Sequence, residues 1–170
     1  MAKTGAALVA AIVILQTAVM GRAIVLLDVA LAVAWIVWSM RREWSAKKGP
    51  LPLYAVGLLA FAAHSAEEYA TGFYRQFPAF AGYEWSPSLF IAFNVAWFVI
   101  FAIAGLAAQR GQSFGFLFIL FFALGGGIMN GVGHILIASI LGRYFPGLIT
   151  APLLLVIGVA LLRRLASTID

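Results

Sequence analysis

The stretch SFGFLFILFFALGGGIMNGVGHILIASI, residues 113–140, contains no Asp, Glu, Lys or Arg. A helix of about 20 apolar residues crosses the roughly 30 Å hydrocarbon core of a bilayer, so this stretch is long enough to span one. Other uncharged apolar runs occupy residues 51–63, 86–108 and 145–162. Spanning segments must be helices or strands of a closed barrel, and no run here alternates with the period of two that a barrel requires. The sequence therefore predicts an all-α fold, a polytopic transmembrane helix bundle.

The composition of the whole chain favours the same class. Of 170 residues, 64% are hydrophobic and 10% are charged, whereas soluble domains are about half apolar and a quarter charged. The net charge of +5 comes from basic residues in short loops, so it indicates membrane topology and not nucleic-acid binding. The absence of cysteine excludes disulfides, thiolate metal sites and thiol catalysis.

The first forty residues admit three interpretations. One helix over this whole region would be about 54 Å long, too long for a bilayer, with Arg22 near its middle. Two short spans that turn at Gly21 and Arg22 fit better, and a signal peptide with a poor cleavage site is the third interpretation. With two short spans, the sequence predicts a single domain of six spans, at approximately 5–20, 23–40, 51–72, 87–108, 113–140 and 147–163.

Basic residues predict the orientation of this six-span arrangement. Three of them, Arg22, Arg75 and Arg143, share one side of the membrane, and eight lie on the other. Because cytoplasmic loops are enriched in Lys and Arg, both termini are expected in the cytoplasm. The loop 74–87 is then external, and its aromatic rings are expected in the headgroup layer or as a lid over a site. The eight basic residues are Lys3, Arg41, Arg42, Lys47, Lys48, Arg110, Arg163 and Arg164.

Polar side chains interrupt the third and fifth predicted spans. His64, Glu67 and Glu68 share one helix face, because the two carboxylates lie about 60° and 40° to either side of the imidazole. Asn130 and His134 lie four residues apart on the fifth span, again on one face. Ionisable groups inside a membrane are costly, so these positions are candidate functional residues.

Their predicted depths coincide. His64 and His134 are each eight residues from the outer end of their helix, which is about 12 Å at 1.5 Å per residue. Asn94 on the fourth span and Asp28 on the second are about 9 Å deep by the same measure. We therefore expect one polar site, built from four helices in the outer half of the bilayer.

Two adjacent carboxylates in a medium of low dielectric repel each other, so either a cation neutralises them or one of them stays protonated. In the first hypothesis the cation is a divalent metal, zinc or iron, bound by two imidazoles and two carboxylates. The spacing permits this site without being diagnostic of it, and only two histidines are few for a membrane hydroxylase. The ligands would be His64, Glu67, Glu68 and His134, with Asn130, Asn94 and Asp28 in support.

A second hypothesis needs no metal. A protonated Glu67 or Glu68 donates to an alkene, His64 relays the proton, and aromatic faces stabilise the resulting cation, as in an isomerase or cyclase. The aromatic candidates are Trp35, Trp38, Trp85 and Trp97. Two further interpretations are a small proton-coupled transporter and a non-catalytic protein whose polar groups only join helices.

Glycines thin one face of the fifth span at 125–127, Gly131 and Gly133. Gly127 and Gly131 form a small-xxx-small pair, which is predicted to let another helix approach closely. The alternative interpretation is that the missing side chains leave room for a ligand.

The residues HSAEE, 64–68, match the signature of the HXXEE family of small bacterial membrane proteins. A later stretch, NGVGHILIASILGRYFPGLITAPLLL at 130–155, resembles a second block of that family, in which Asn and His precede an aromatic-Pro-Gly segment and a final helix. The resemblance covers about residues 58–162. It implies a bacterial inner-membrane protein, leaves the reaction open, and marks as site residues His64, Glu67, Glu68, Asn130 and His134.

These observations lead to one principal expectation. The protein is expected to be a metal-dependent enzyme whose partners are membrane lipid and a hydrophobic small-molecule substrate, lipid or isoprenoid-like, that enters sideways from the bilayer. No nucleic-acid partner is expected.

Overall fold

The computed structural model describes residues 2–40, 44 and 49–167. Within these ranges the chain forms six continuous helical segments and no strand, so the predicted all-α class is confirmed. A 3-10 turn at Gly21–Ile24 joins the first two helices, and a π-helical segment at Phe122–Met129 joins the sixth to the seventh. In chain order the helices are α1 (Ala2–Met20), α2 (Val25–Ser39), α3 (Leu51–Thr71), α4 (Phe73–Ala79), α5 (Pro87–Gln109), α6 (Ser113–Phe121), α7 (Asn130–Leu141) and α8 (Ala151–Ser167).

Three helical stretches of the described chain are long and apolar enough to cross a membrane: residues 4–39, 87–109 and 113–141. These lengths indicate a membrane protein. Six spans stay a prediction, because α3 and α8 are not among these three stretches. The predicted orientation also stays a prediction. Five of the basic residues on which it rests have side chains outside the described part of the chain, namely Lys3, Arg41, Arg42, Lys47 and Lys48.

The first of these stretches is a hairpin. Gly21 has a φ of +73°, a left-handed conformation that only glycine adopts readily, and the chain reverses there. A Cβ placed on Gly5 would lie 3.0 Å from the ring of Trp38, which shows that α2 runs back along α1. The turn coincides with the one predicted at Gly21 and Arg22, and a single straight helix is excluded.

The centre of the bundle is α6 together with the first part of the π-helical segment. Every residue from Phe116 to Ala123 is buried, with at most 5% of its surface exposed. A helix that is apolar on all sides belongs in the interior of a bundle. Helices α2, α5 and α8 pack around this central segment.

The glycines of the π-helical segment and α7 have two different roles. A Cβ on Gly127 would lie 2.6 Å from the Cα of Gly158, and one on Gly131 would lie 2.6 Å from Leu155. Both glycines therefore let α8 approach the central helix closely, as the small-xxx-small pattern predicted. Gly133 differs, because a Cβ there would meet no atom within 4 Å.

Two segments differ from the predicted spans. The last helix begins at Ala151 and not at 147, because Gly147 has a φ of +90°, which is incompatible with a right-handed helix. The predicted external loop 74–87 is helical at its start, because the short helix α4 (Phe73–Ala79) follows immediately after the left-handed Gly72. The aromatic rings of α4 turn inward against the site described next.

Candidate metal centre and its cavity

Three side chains from two helices converge in the interior. His64 and Glu68 lie one turn apart on α3, and His134 reaches them from α7. Nε2 of His64 is 3.4 Å from Oε1 of Glu68, and Nε2 of His134 is 3.2 Å from the same oxygen. All three residues are at least 95% buried. The Glu68 face of α3 therefore meets the His134 face of α7.

The separations of these atoms suit a metal ion. Nitrogen and oxygen ligands lie about 2.0–2.1 Å from tetrahedral zinc, so two such ligands are about 3.3 Å apart. The two distances to Glu68 Oε1 fall at this value. One ligand atom from each of the three residues lies within 4.8 Å of the other two, so the group could hold a metal ion.

An imidazole nitrogen of His64 supports this interpretation. Nε2 of His64 and Nδ1 of His134 are buried and have no hydrogen-bond partner among the described residues. Buried polar atoms are almost always hydrogen-bonded in folded proteins, so each exception calls for an explanation. For His64, the atom without a hydrogen bond is the one that lies 3.4 Å from Oε1 of Glu68, which is where a metal ligand is expected.

Glu67 does not join this group, although we predicted it as a ligand. Its carboxylate accepts hydrogen bonds from the Tyr144 hydroxyl at 2.7 Å and from the backbone N–H groups of Ile149 and Thr150, each at 2.9 Å. Neighbouring residues on a helix point about 100° apart, so Glu68 faces the interior while Glu67 faces the segment that precedes α8. Glu67 thus anchors residues 144–150 to α3.

Thr150 connects the anchor to the candidate metal centre. Its hydroxyl donates to Oε2 of Glu67 at 2.5 Å and lies 2.7 Å from Nδ1 of His64. A hydroxyl carries one proton, so Thr150 accepts the second hydrogen bond and His64 Nδ1 donates it. This bond selects the tautomer of His64 whose Nε2 lone pair is free to bind a metal.

The segment 142–150 also covers the imidazoles. A Cβ on Gly147 would lie 2.5 Å from Cε1 of His134 and 2.9 Å from Cε1 of His64, so only glycine fits between them. The fully buried ring of Phe145 lies 5.6 Å from the ring of His134, measured between centroids. The aromatic-Pro-Gly sequence is therefore a close-fitting cap on the site.

Tyr144 borders the site on its exposed side. Burial raises the pKa of its phenol, and the hydrogen bond to Glu67 raises it further. The phenol therefore stays protonated near neutral pH and acts as a hydrogen-bond donor to Glu67.

A cavity of about 180 Å³ adjoins the three converging side chains. Glu68, His134, Asn94 and Asn130 supply polar groups to its lining, and most of the remaining lining is aromatic or aliphatic. Binding sites for small hydrophobic molecules have this composition, an apolar wall with a few polar groups that fix orientation. The arrangement can thus hold an apolar group with one end beside the candidate metal centre.

The remaining predicted residues divide between this cavity and other places. Asn94 lines the cavity, accepts a hydrogen bond from the Ser65 hydroxyl and donates one to the carbonyl of Phe90. Asn130 lines the cavity as well. Asp28 is not near the centre, because its carboxylate accepts hydrogen bonds from Gln16 and Thr17 across the α1–α2 hairpin.

The tryptophans divide in the same way. Trp85 and Trp97 line the cavity, together with Phe77 of the loop that we predicted as an interfacial layer or a lid. Trp38 instead donates a hydrogen bond from its indole to the carbonyl of Ser113, which joins α2 to the start of α6.

Sequence reasoning missed Thr150 and Gly147. Both lie inside the stretch 130–155 that resembles the second family block, so the sequence contained a weak signal for them. Their roles depend on contacts between α3 and a loop more than 80 residues later, which no local pattern reveals.

Residues 55–161 match the model of a protein family described as proteins of unknown function with an HXXEE motif. The chain belongs to this HXXEE family. The converging residues and the cap of this HXXEE protein lie within the matched range, while the α1–α2 hairpin precedes it. Searches of curated proteins and of solved structures find no match.

Proposed function

We propose that this HXXEE protein is a metal-dependent membrane enzyme that acts on a hydrophobic small molecule of the lipid or isoprenoid class. One observation carries the proposal: His64, Glu68 and His134 converge at the polar end of an apolar cavity. Intramembrane ionisable residues that meet in this way are functional by default, because their burial is costly.

A two-histidine, one-carboxylate set is a common site for zinc or non-haem iron. Three protein ligands leave coordination positions open for water or substrate, and a bound metal would supply Lewis acidity or an activated water. The chain's own residues prepare the site. Thr150 orients His64, the cap at 145–147 covers both imidazoles, and the aromatic cavity excludes water from the apolar part of the substrate.

A purely structural role explains the geometry less well. Hydrogen bonds that join transmembrane helices are worth only about 0.6–2 kcal/mol, and they work by pairing polar atoms. Here the buried Nε2 of His64, 3.4 Å from Oε1 of Glu68, is left without a hydrogen bond. A helix-joining function would favour a geometry that satisfied it.

Elemental analysis tests the proposal directly. The protein is purified without chelators, and zinc and iron are quantified per chain in the wild type and in the Glu68→Gln and His134→Ala variants. We expect about one metal per chain in the wild type and loss of it in both variants. Glu84→Gln is the matched control, because Glu84 is an exposed carboxylate away from the site.

Two results would overturn the proposal. One is wild-type protein that is folded and free of metal and does not take up added zinc or iron. The other is metal bound with equal affinity by the wild type and by both site variants.

A metal-free acid–base catalyst is the second candidate, favoured by one specific observation. Oε1 of Glu68 lies close to both imidazoles at once, so a single proton can be shared among the three groups beside the aromatic cavity. Aromatic faces can stabilise a carbocation formed there. Metal-free protein that converts an unsaturated lipid to an isomer, and loses this activity in Glu68→Gln, would support this candidate.

We also place the protein in a bacterial inner membrane with both termini in the cytoplasm, on the basis of the basic loops. Reporter fusions at each terminus test this orientation. A reporter active only outside the cytoplasm should be silent at both ends.

A further inference from the structure

The cavity beside the candidate metal centre has a size that limits its occupant. Its volume is about 180 Å³, somewhat larger than an apolar cavity of about 150 Å³ that binds benzene in an engineered protein. One ring, or a branched hydrocarbon group of similar size, fits this space. A complete membrane lipid does not.

The chemistry of the lining limits the occupant further. Aromatic rings supply much of the wall, and among the described lining residues none is Lys or Arg. Away from the candidate metal centre, transferring a phosphate or another anion against such a wall would remove its hydration without supplying a compensating cation. Flat aromatic faces favour contact with other π systems. Examples of these rings are Phe73, Phe77, Phe93, Trp97, Phe101 and Phe121.

One side of the cavity reaches the apolar exterior of the bundle. Leu26 on α2 lines the cavity, yet 59% of its surface is exposed. Gly133 and Ile137 on α7 line the same cavity, and a Cβ on Gly133 would meet no atom within 4 Å. On the side between α2 and α7, the cavity is therefore lined by residues that also open to the apolar exterior of the bundle.

We infer that the cavity admits, between α2 and α7, one uncharged and unsaturated hydrocarbon group the size of a single ring or prenyl unit, and leaves an anionic headgroup outside its apolar part. This inference deepens the proposed function. It rests on that function where the hydrocarbon group is taken to be part of a substrate. The wall from α2 precedes the range matched by the HXXEE family model. The hairpin thus contributes a part of the cavity wall that lies outside the matched range.

Photolabelling in liposomes tests the inference. The probe is phenyldiazirine, and labelled residues are mapped by mass spectrometry. We expect saturable labelling of Phe121, which is completely buried and lines the cavity, and competition by excess toluene. Leu59 is 71% exposed and serves as an internal reference for non-saturable labelling from lipid. A phenyldiazirine that carries a carboxylate should label Phe121 at least tenfold less.

Substitutions define the entrance. Gly133→Leu fills the cavity and should reduce Phe121 labelling at least tenfold while Leu59 labelling stays constant. Val132→Leu is the matched control, since Val132 is the neighbouring residue and is partly exposed on the same helix. Leu26→Trp narrows the opening and should also reduce Phe121 labelling. Because Leu26 is exposed, this variant tests the entrance even if Gly133→Leu folds poorly.

Three results would overturn the inference: no saturable labelling of Phe121, equal labelling by the charged probe, or unchanged labelling in both Gly133→Leu and Leu26→Trp. Metal content is measured in the same preparations. Saturable labelling in metal-free protein supports the ligand class while the proposed function fails. If the protein binds metal but Phe121 labelling is not saturable, the inference fails and the proposed function stands.

Discussion

The hydroxyl of Thr150 lies 2.7 Å from Nδ1 of His64 and connects that imidazole to Glu67. Through this one hydroxyl, the loop before α8 determines which nitrogen of His64 carries hydrogen. The nitrogen without hydrogen, Nε2, then faces Glu68 and His134. The two adjacent carboxylates of the HXXEE motif therefore have different tasks, since Glu68 belongs to the converging group and Glu67 holds the residue that orients it.

Thr150→Val should weaken metal binding without abolishing it. The variant keeps the shape of the side chain but removes the acceptor for His64 Nδ1, and loss of such a partner typically lowers metal affinity 10–100-fold. Thr150→Ser restores the hydroxyl and should restore most of the affinity. Competition with a chelator of known affinity measures the difference. Equal affinities in the valine and serine variants would contradict the orienting role.

Replacing each carboxylate in turn by an amide should have different effects on metal binding. Glu68→Gln should lose the metal, because an amide is a poor substitute for a charged ligand beside two imidazoles. Glu67→Gln should retain the metal with reduced affinity and lose thermal stability, because its hydrogen bonds to Tyr144, Ile149 and Thr150 are weakened. Hydrogen bonds to charged groups contribute about 1.5–3 kcal/mol. Metal analysis and thermal unfolding of both variants check the contrast, and identical behaviour would refute it.

Gly147→Ala should displace the imidazoles. The new methyl group would fall within 3 Å of both His64 and His134, at a backbone φ of +90°. Gly142→Ala is the matched control, since Gly142 also has a positive φ of +61° but open space around it. Alanine at position 142 should lower the stability only through its left-handed backbone conformation, by about 1–2 kcal/mol. We expect metal loss in Gly147→Ala and normal metal content in Gly142→Ala, by elemental analysis of folded protein.

Asp28→Asn should leave metal binding unchanged. We predicted Asp28 as a supporting residue, but its partners are Gln16 and Thr17 in the hairpin. The substitution should therefore lower the thermal stability, by an amount on the order of 1 kcal/mol for a weakened interhelical hydrogen bond. Reduced metal affinity in this variant would show that the original prediction was right.

The phenol of Tyr144 should titrate above the ordinary tyrosine pKa of about 10. Its folded pKa is raised by burial and by Glu67. The hydrogen bond to Glu67 is therefore fully present below the ordinary tyrosine pKa of about 10 and is lost as pH rises through the higher folded value. Tyrosinate absorbance of the wild type minus that of Tyr144→Phe isolates this group. A difference titration at or below pH 10 would contradict the assignment.

Much of the candidate site was predictable from spacing. His64 and Glu68 are one turn apart, so any helix places them together, and His134 carries the one other imidazole in the chain. Glu67 could not be assigned in advance. It lies 100° from Glu68, and helix geometry alone permits both carboxylates to face the same partner or two different ones.

The cap illustrates a second limit. From sequence, an aromatic loop between apolar segments fits the membrane interface and the protein interior equally well. Tertiary packing placed Phe77 and Trp85 in the cavity wall and Phe145 against His134. Similarly, the glycines of the central helix differ in role only because α8 lies along Gly127 and Gly131, while Gly133 faces the cavity.

The amino-acid sequence by itself indicated an α-helical membrane protein, favoured a chain reversal at Gly21 and Arg22, and placed two histidines and two carboxylates within its apolar segments. These follow from local rules, since hydropathy and helix periodicity depend on residues close in the chain. Only the tertiary structure decided that Glu68 faces the imidazoles, that Glu67 and Thr150 orient His64, and that an aromatic cavity adjoins them. Those features arise from contacts between distant segments, where packing selects among arrangements that the local rules allow equally.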